Sequence, residues 1–228
     1  MDSWNALKEG LNLQETQIDD SLTFIASVLD RSGSMNHLVS DVIGGYNTFI
    51  QQQAAEPGSA VCALTIFDAE IDIVYSGLAI NEVAELTTDV YFARGNTALL
   101  DAVGKTILEL ENSISTASVK PGKVIVVIHT DGQENASKEF TNEKLKELMG
   151  THDDWQFVFM GAGQDAWANA QQWSTMSAGS TLSHANTSAG YAGSYTSLNS
   201  SVSNLRSSSA KNSETFWKDG EEKDSTQE

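Results

Sequence analysis

An α/β fold on a doubly wound, mainly parallel sheet with one antiparallel edge strand and helices on both faces is what this sequence predicts. Three observations carry that expectation. Apolar runs of strand length recur along the chain, helix-spaced apolar positions fall between them, and one interval is too short for a crossover.

The runs are Leu22 to Leu29, Val61 to Phe67, Val124 to His129 and Trp155 to Met160. Unbroken stretches rich in Val, Ile and Phe suit strands covered by helices on both faces. From Met35, the positions Leu38, Val39, Val42, Ile43, Tyr46, Phe49 and Ile50 keep the three-and-four spacing of one helix face. Leu99, Val103, Ile107, Leu110 and Ile114 predict a second helix, Leu145, Leu148 and Met149 a third, and Ala166, Trp167, Ala170 and Trp173 a shorter fourth. Only Asp68, Ala69 and Glu70 separate Phe67 from Ile71, so Ile71 to Tyr75 must return antiparallel to its predecessor.

After Trp173 the composition shifts to Ser, Thr, Ala and Gly, yet Tyr191, Tyr195, Leu198, Val202 and Leu205 recur at helical spacing. They predict a final helix packed on the sheet, preceded by a short edge strand around Ser180 to His184. From Arg206 onward Ser, Lys, Glu and Asp dominate, which reads as a disordered tail. The expected organisation is an N-terminal extension over 1–20, holding Trp4, Leu7 and Leu11, one domain over 21–206, and a tail over 207–228.

Thirteen basic against 31 acidic side chains give a formal charge of −18. Such a chain repels nucleic-acid phosphate and anionic lipid, so neither is an expected partner. Solubility accounts for the acidity, and a local excess of carboxylates also concentrates divalent cations. The single cysteine, Cys62, sits in the apolar run Val61-Cys62-Ala63-Leu64, where a small buried thiol fits. Met1 to Asp20 is polar and acidic, unlike a signal peptide. No stretch approaches the roughly 18 apolar residues of a membrane-spanning helix. A cytoplasmic location is the expectation, or a virion if the chain is phage-encoded.

The chemistry concentrates at strand ends. The first strand closes on Asp30-Arg31-Ser32-Gly33-Ser34, just before a helix. Hard oxygen donors at the C-terminal end of a strand stand where open α/β sheets bind ligands. Asp, Ser and Gly are also ordinary turn residues, and Ser34 could simply cap the helix. Two further segments add to the run. Gly95-Asn96-Thr97-Ala98-Leu99-Leu100-Asp101-Ala102 places a threonine before a helix, and Thr130-Asp131-Gly132 places a carboxylate directly after a strand.

Together these segments resemble the metal-ion-dependent adhesion site of von Willebrand factor type A domains: an Asp-x-Ser-x-Ser loop, a distant Thr, and an Asp-Gly after a later strand. The resemblance covers roughly residues 20–175 and implies a Rossmann-like fold. It implies that Ser32 and Ser34 coordinate a cation through their hydroxyls, that Thr97, Asp30 and Asp131 bind directly or through water, and that Asp101 braces the metal loops. Asp101 also suits a helix N-terminus on charge alone. The implied metal is Mg2+, with Mn2+ or Ca2+ as alternatives. A site of mostly neutral hydroxyls leaves such a cation under-neutralised, and in this family an Asp or Glu of a protein partner completes its coordination. Intracellular members work beside AAA+ ATPases or in phage and bacterial proteins, so an AAA+ ATPase or a virion protein is an implied partner. Arg31 and Asn96 fall at the pattern's variable positions. His129 precedes the site and could face either way along its strand, as a core or rim residue, and His37, His152 and His184 show no ligand spacing.

Other chemistries fit less well. Gly161-Ala162-Gly163-Gln164-Asp165-Ala166 follows a strand and formally fits a dinucleotide-binding turn, but no strand ending in a ribose-binding acid follows it. Small residues in a tight strand-to-helix turn account for it equally. A haloacid-dehalogenase-type site would need a second Asp where Ser32 stands. No phosphate-binding loop of the G-x-x-x-x-G-K-[ST] kind is present, and a serine nucleophile would need an oriented base, for which His37 lacks an evident acid. The expectation is a binding module without catalysis, with a metal-assisted hydrolase or a virion assembly protein as alternatives.

Overall fold

The computed structural model describes residues 17–162, 181–185 and 187–218. The elements in order are β1 (Gln17–Asp30), a 3-10 turn (Gly33–Leu38), α1 (Val39–Ala55), β2 (Ser59–Phe67), β3 (Ile71–Ala79), a short 3-10 turn (Ile80–Glu82), α2 (Leu99–Thr116), β4 (Val119–Thr130), α3 (Asn142–Gly150), β5 (Gln156–Ala162), β6 (Thr181–His184) and α4 (Ser188–Ser207). The six strands form one sheet in the order β3-β2-β1-β4-β5-β6. Every neighbouring pair is parallel except β2 with β3. The three-residue link after Phe67 enforces that exception, because a parallel return needs a crossover of a dozen residues or so.

Alternation along the buried strands divides the core into two layers. Ile25 and Leu29 of β1, Ile125 and Val127 of β4, and Val158 and Met160 of β5 face α1 and α4. Phe24, Ala26 and Val28, then Val124, Val126 and Ile128, then Phe157 and Phe159, face α2 and α3. Over their buried stretches these three strands thus carry apolar side chains on both faces, the run pattern that marks a doubly covered sheet. On α1 the buried residues include Val42, Tyr46, Phe49 and Ile50, so the helix-spaced set read from the sequence is the face that packs. The α1 backbone comes close to α4 at Gly45, where an added Cβ would lie 2.3 Å from Tyr195 Cδ2. Only glycine admits that approach.

Two boundaries differ from the sequence reading. Strand β1 starts at Gln17, so residues 17–20 belong to the sheet and not to the extension. Residues 207–218, read as part of a solvated tail, pack against the domain. Lys123 Nζ donates to the carbonyls of Arg206 (3.0 Å) and Ser208 (2.6 Å), Ser213 N donates to Gln156 Oε1 (2.7 Å), and Phe216 and Trp217 are buried. Two aromatic side chains outweigh a polar local composition, since each removes a large apolar area from water. The N-terminal residues Trp4, Leu7 and Leu11, the helix expected over Ala166 to Trp173, and the turn residues from Gly163 to Ala166 lie outside the described residues, as does 219–228. No helix among the described residues is long and apolar enough to cross a membrane.

Candidate metal centre

Strands β1 and β4 lie side by side and parallel, pairing Leu29 with His129. Their C-terminal ends therefore deliver Asp30 and the Thr130-Asp131-Gly132 turn to one rim of the sheet. Asp30 is fully buried. Its Oδ1 accepts the Ser32 backbone N–H at 2.6 Å, folding Asp-Arg-Ser into a tight turn, and its Oδ2 accepts a short hydrogen bond from the Thr130 hydroxyl. The Tyr91 hydroxyl donates to the Asp30 carbonyl oxygen. Burial pushes the Asp30 carboxyl up to about 6, against the pull of the Thr130 and Ser32 hydrogen bonds and with the nearby Asp131 charge adding to the rise.

The hydroxyls gather around this carboxylate. Ser32 Oγ and Ser34 Oγ are 3.1 Å apart, and Ser34 Oγ donates to Asp131 Oδ1 at 2.7 Å. Thr97 is buried on the third loop. Gly132 reports how tightly these groups converge: an added Cβ there would stand 2.8 Å from Thr97 Oγ1, 3.1 Å from Asp30 Oδ2 and 3.2 Å from Ser32 Oγ. A glycine of one loop is thus ringed by a threonine hydroxyl from a second loop and by a carboxylate oxygen and a serine hydroxyl from a third, with Ser34 and Asp131 linked to the same set. The structure brings all five of Asp30, Ser32, Ser34, Thr97 and Asp131 together. Among the described residues no three His, Cys, Asp or Glu side chains gather in a metal-binding group. The donor set is instead two carboxylates and three hydroxyls, all hard oxygens, which fits Mg2+ or Mn2+ better than a thiophilic ion.

Asp101 stands in the first turn of α2 and accepts the backbone N–H groups of Lys138 (2.8 Å), Glu139 (3.0 Å) and Phe140 (2.8 Å). It braces the loop that follows Asp131 and does not join the hydroxyl cluster. Two braces escaped the sequence reading. Asn135 Oδ1 accepts the Thr97 N–H at 2.9 Å, and Glu134 accepts from Leu100 N, Ala136 N, Ser137 N and Ser137 Oγ, tying the same loop to the start of α2. Their proximity to Asp131 in sequence was the available signal.

Arg31, which the motif treats as variable, is buried. Its Nη2 donates to Asp72 Oδ2 at 2.6 Å, and its Nε lies 3.3 Å from Asp68 Oδ2, an ion pair without hydrogen-bond alignment. Asp68 also takes Arg94 Nε at 2.5 Å. Asn96 is exposed. His129 faces the α1 and α4 layer, 3.2 Å from the Tyr195 hydroxyl through Nδ1, and burial lowers its pKa to about 3. It is a neutral core residue. His37 turns Nδ1 to the Ser34 carbonyl oxygen at 3.0 Å.

No family model matches the chain. No curated protein matches it either. Solved structures do. A von Willebrand factor type A protein from Catenulispora acidiphila is similar at 14% identity and a TM-score of 0.58, over 80% of this chain and 43% of that one. Proximal thread matrix protein 1 from the mussel byssus is similar at 18% identity and a TM-score of 0.54, over 78% of this chain and 45% of that one. A further structure of the mussel protein is described as having a zinc-occupied metal-ion-dependent adhesion site. The manganese-loaded TRAP protein of Plasmodium vivax is similar at 14% identity and a TM-score of 0.52, over 73% of this chain and 69% of that one. The chain spans less than half the length of the first two. At these identities the likeness shows the fold alone, which is that of von Willebrand factor type A domains.

Proposed function

We propose that this chain, with its von Willebrand factor type A fold, holds one divalent cation at Asp30, Ser32, Ser34, Thr97 and Asp131 and uses it to bind an acidic side chain of a protein partner. The observation that carries the reading is the ring of Thr97, Asp30 and Ser32 oxygens around Gly132, beside a buried carboxylate whose pKa burial has raised. A fully buried carboxylate next to a second acid is costly unless a cation or proton offsets it. The manganese and zinc carried by the two structural neighbours support a divalent ion in this fold, and the hard-oxygen donor set favours magnesium. When bound, the cation supplies a Lewis-acidic centre with room for an external carboxylate. The chain's own residues place and orient it: Thr130 fixes Asp30, Asp131 fixes Ser34, and Asn135 fixes the Thr97 backbone.

Binding without turnover is the reading because His37, the imidazole nearest the serines in sequence, directs Nδ1 to a backbone carbonyl. Immobilised protein in magnesium tests it. Partner capture lost with chelator and in Asp30→Ala, with no turnover of an aryl phosphate or a peptide, is the expected result. Metal-dependent turnover of either substrate without a partner contradicts it.

A further inference from the structure

Asp68 opens the link between β2 and β3, one position beyond Phe67, which stands in register with Asp30 on the neighbouring β1. It is buried, at 2% exposure, yet it is not among the five residues gathered around the proposed cation. Part of its bonding closes its own turn: Asp68 N donates to Glu70 O at 2.9 Å, and Glu70 N donates to Asp68 Oδ1 at 2.7 Å. Its other two oxygens reach the loops of the metal centre. Oδ2 lies 2.5 Å from Arg94 Nε and 3.3 Å from Arg31 Nε, and the carbonyl oxygen accepts Ala98 N at 2.8 Å. Gly95, held at a φ of 66°, runs past the same carboxyl, where an added Cβ would stand 3.5 Å from Asp68 Cγ.

These contacts fall on both sides of the hydroxyl set. Arg31 stands between Asp30 and Ser32, whereas Arg94, Gly95 and Ala98 bracket Thr97. The geometry points to Asp68 as a positioning residue of the metal centre: one buried carboxylate, acting through two guanidiniums and its own carbonyl, clamps the Thr97 loop against the Asp-x-Ser-x-Ser turn. The inference rests on the metal-binding reading and adds the group that sets the spacing of its loops. Backbone bonds run along the same seam, Arg94 N to Arg31 O at 2.8 Å and Gly33 N to Gly95 O at 3.1 Å. Magnesium demands near-octahedral oxygens at about 2.0–2.1 Å. A neutral hydroxyl carries no net charge to draw its loop toward the ion, so the protein must set that spacing before the ion arrives. Groups standing behind metal ligands govern affinity by about 10- to 100-fold. A purely coulombic role predicts something different, since a nearby carboxylate favours any cation and a nearby guanidinium opposes it. The two roles differ in sign at Arg94.

Calorimetric magnesium titrations of the full chain test the clamp, with urea unfolding in chelator beside each to show that the variant is folded. The Arg94 side chain is 41% exposed, so Arg94→Ala should keep the fold. It should nonetheless lose about tenfold in magnesium affinity, whereas removing a cation that acts by charge alone would tighten binding. Asp68→Asn should lose roughly ten- to hundredfold, and the double variant should lose no more than Asp68→Asn, since both changes open one clamp. Arg94→Ala decides alone should Asp68→Asn, which leaves the buried Arg31 to Asp72, fail to fold. Lys211→Ala removes the same charge from an exposed pair with Asp154, ahead of β5 and so at the opposite end of the sheet, and should bind magnesium as wild type does. A magnesium affinity in Arg94→Ala equal to or above that of wild type, or losses in the two single variants that add in full, overturns the clamp and leaves the metal reading intact. Absence of saturable magnesium binding in wild type overturns both.

Discussion

The Thr130 hydroxyl donates a hydrogen bond to Asp30 Oδ2, joining the ends of β4 and β1 across one hundred residues of sequence. With the Ser32 N–H on Oδ1, it holds a fully buried carboxylate in one orientation. Neither bond offsets desolvation, since the Asp30 pKa still stands at about 6 against an ordinary 3.8.

The sign of the resulting stability effect follows from linkage. A carboxyl raised in the fold contributes stability that is fully present below about pH 4 and is lost as pH rises through about 6, with a ceiling of about 3 kcal/mol. Asp30→Asn keeps a neutral group at every pH. Metal-free Asp30→Asn should therefore exceed wild type in stability by about 1–3 kcal/mol at pH 7.5 and match it near pH 4. Chemical denaturation with chelator at the two pH values measures this.

Metal reverses that order. Magnesium should raise the melting temperature of wild type and leave Asp30→Asn unmoved. Because the cation competes with the Asp30 proton, the wild-type affinity should fall by about tenfold per pH unit below about 6. Calorimetric titrations at pH 7.5, 6 and 5 give the slope.

Gly132→Ala places a methyl 2.8 Å from Thr97 Oγ1, 3.1 Å from Asp30 Oδ2 and 3.2 Å from Ser32 Oγ, crowding three of the oxygens that would hold the ion. The fold should survive, because the turn is at the rim. Metal affinity should fall by at least about tenfold, a loss of about 1.4 kcal/mol. Circular dichroism and calorimetry on one sample separate the two effects.

Asp101→Ala removes one acceptor from three backbone N–H groups at once. Charged hydrogen bonds of this kind are worth about 1.5–3 kcal/mol singly and do not add fully, so a destabilisation of about 2–4 kcal/mol is expected by urea denaturation. Asp101→Asn should be milder, as its carbonyl oxygen still accepts.

His129 gives the opposite acid response to Asp30. Burial holds it neutral down to about pH 3, below its ordinary 6.5, so the unfolded chain takes up the proton first and stability declines as pH falls below about 6.5. His129→Gln should flatten the decline of the melting temperature between pH 6.5 and 4 relative to wild type, measured by thermal scans.

Much of this architecture was legible because strand runs and helix spacing are local properties. The antiparallel β3 followed from a three-residue link, and the final helix from the spacing of Tyr191 to Leu205. The site's members were legible as residue types after strands and before helices. Their convergence was legible only through the family resemblance, and it is the pairing of β1 with β4 and the close approach of Thr97, Asp30 and Ser32 to Gly132 that bring the three loops together. Arg31 illustrates the limit. An arginine in a motif's variable position carries no sequence signal of burial, which here depends on Asp68 and Asp72, supplied by the β2–β3 hairpin. Phe216 and Trp217 show the converse, where two aromatics override a polar neighbourhood.

Crystals grown in manganese, measured at an X-ray energy near the manganese edge, test the central claim most directly. The account predicts one anomalous peak within about 2–2.4 Å of Ser32 Oγ and Ser34 Oγ, with Thr97, Asp30 and Asp131 around it. An empty rim under saturating manganese, or a peak elsewhere on the chain, would contradict it.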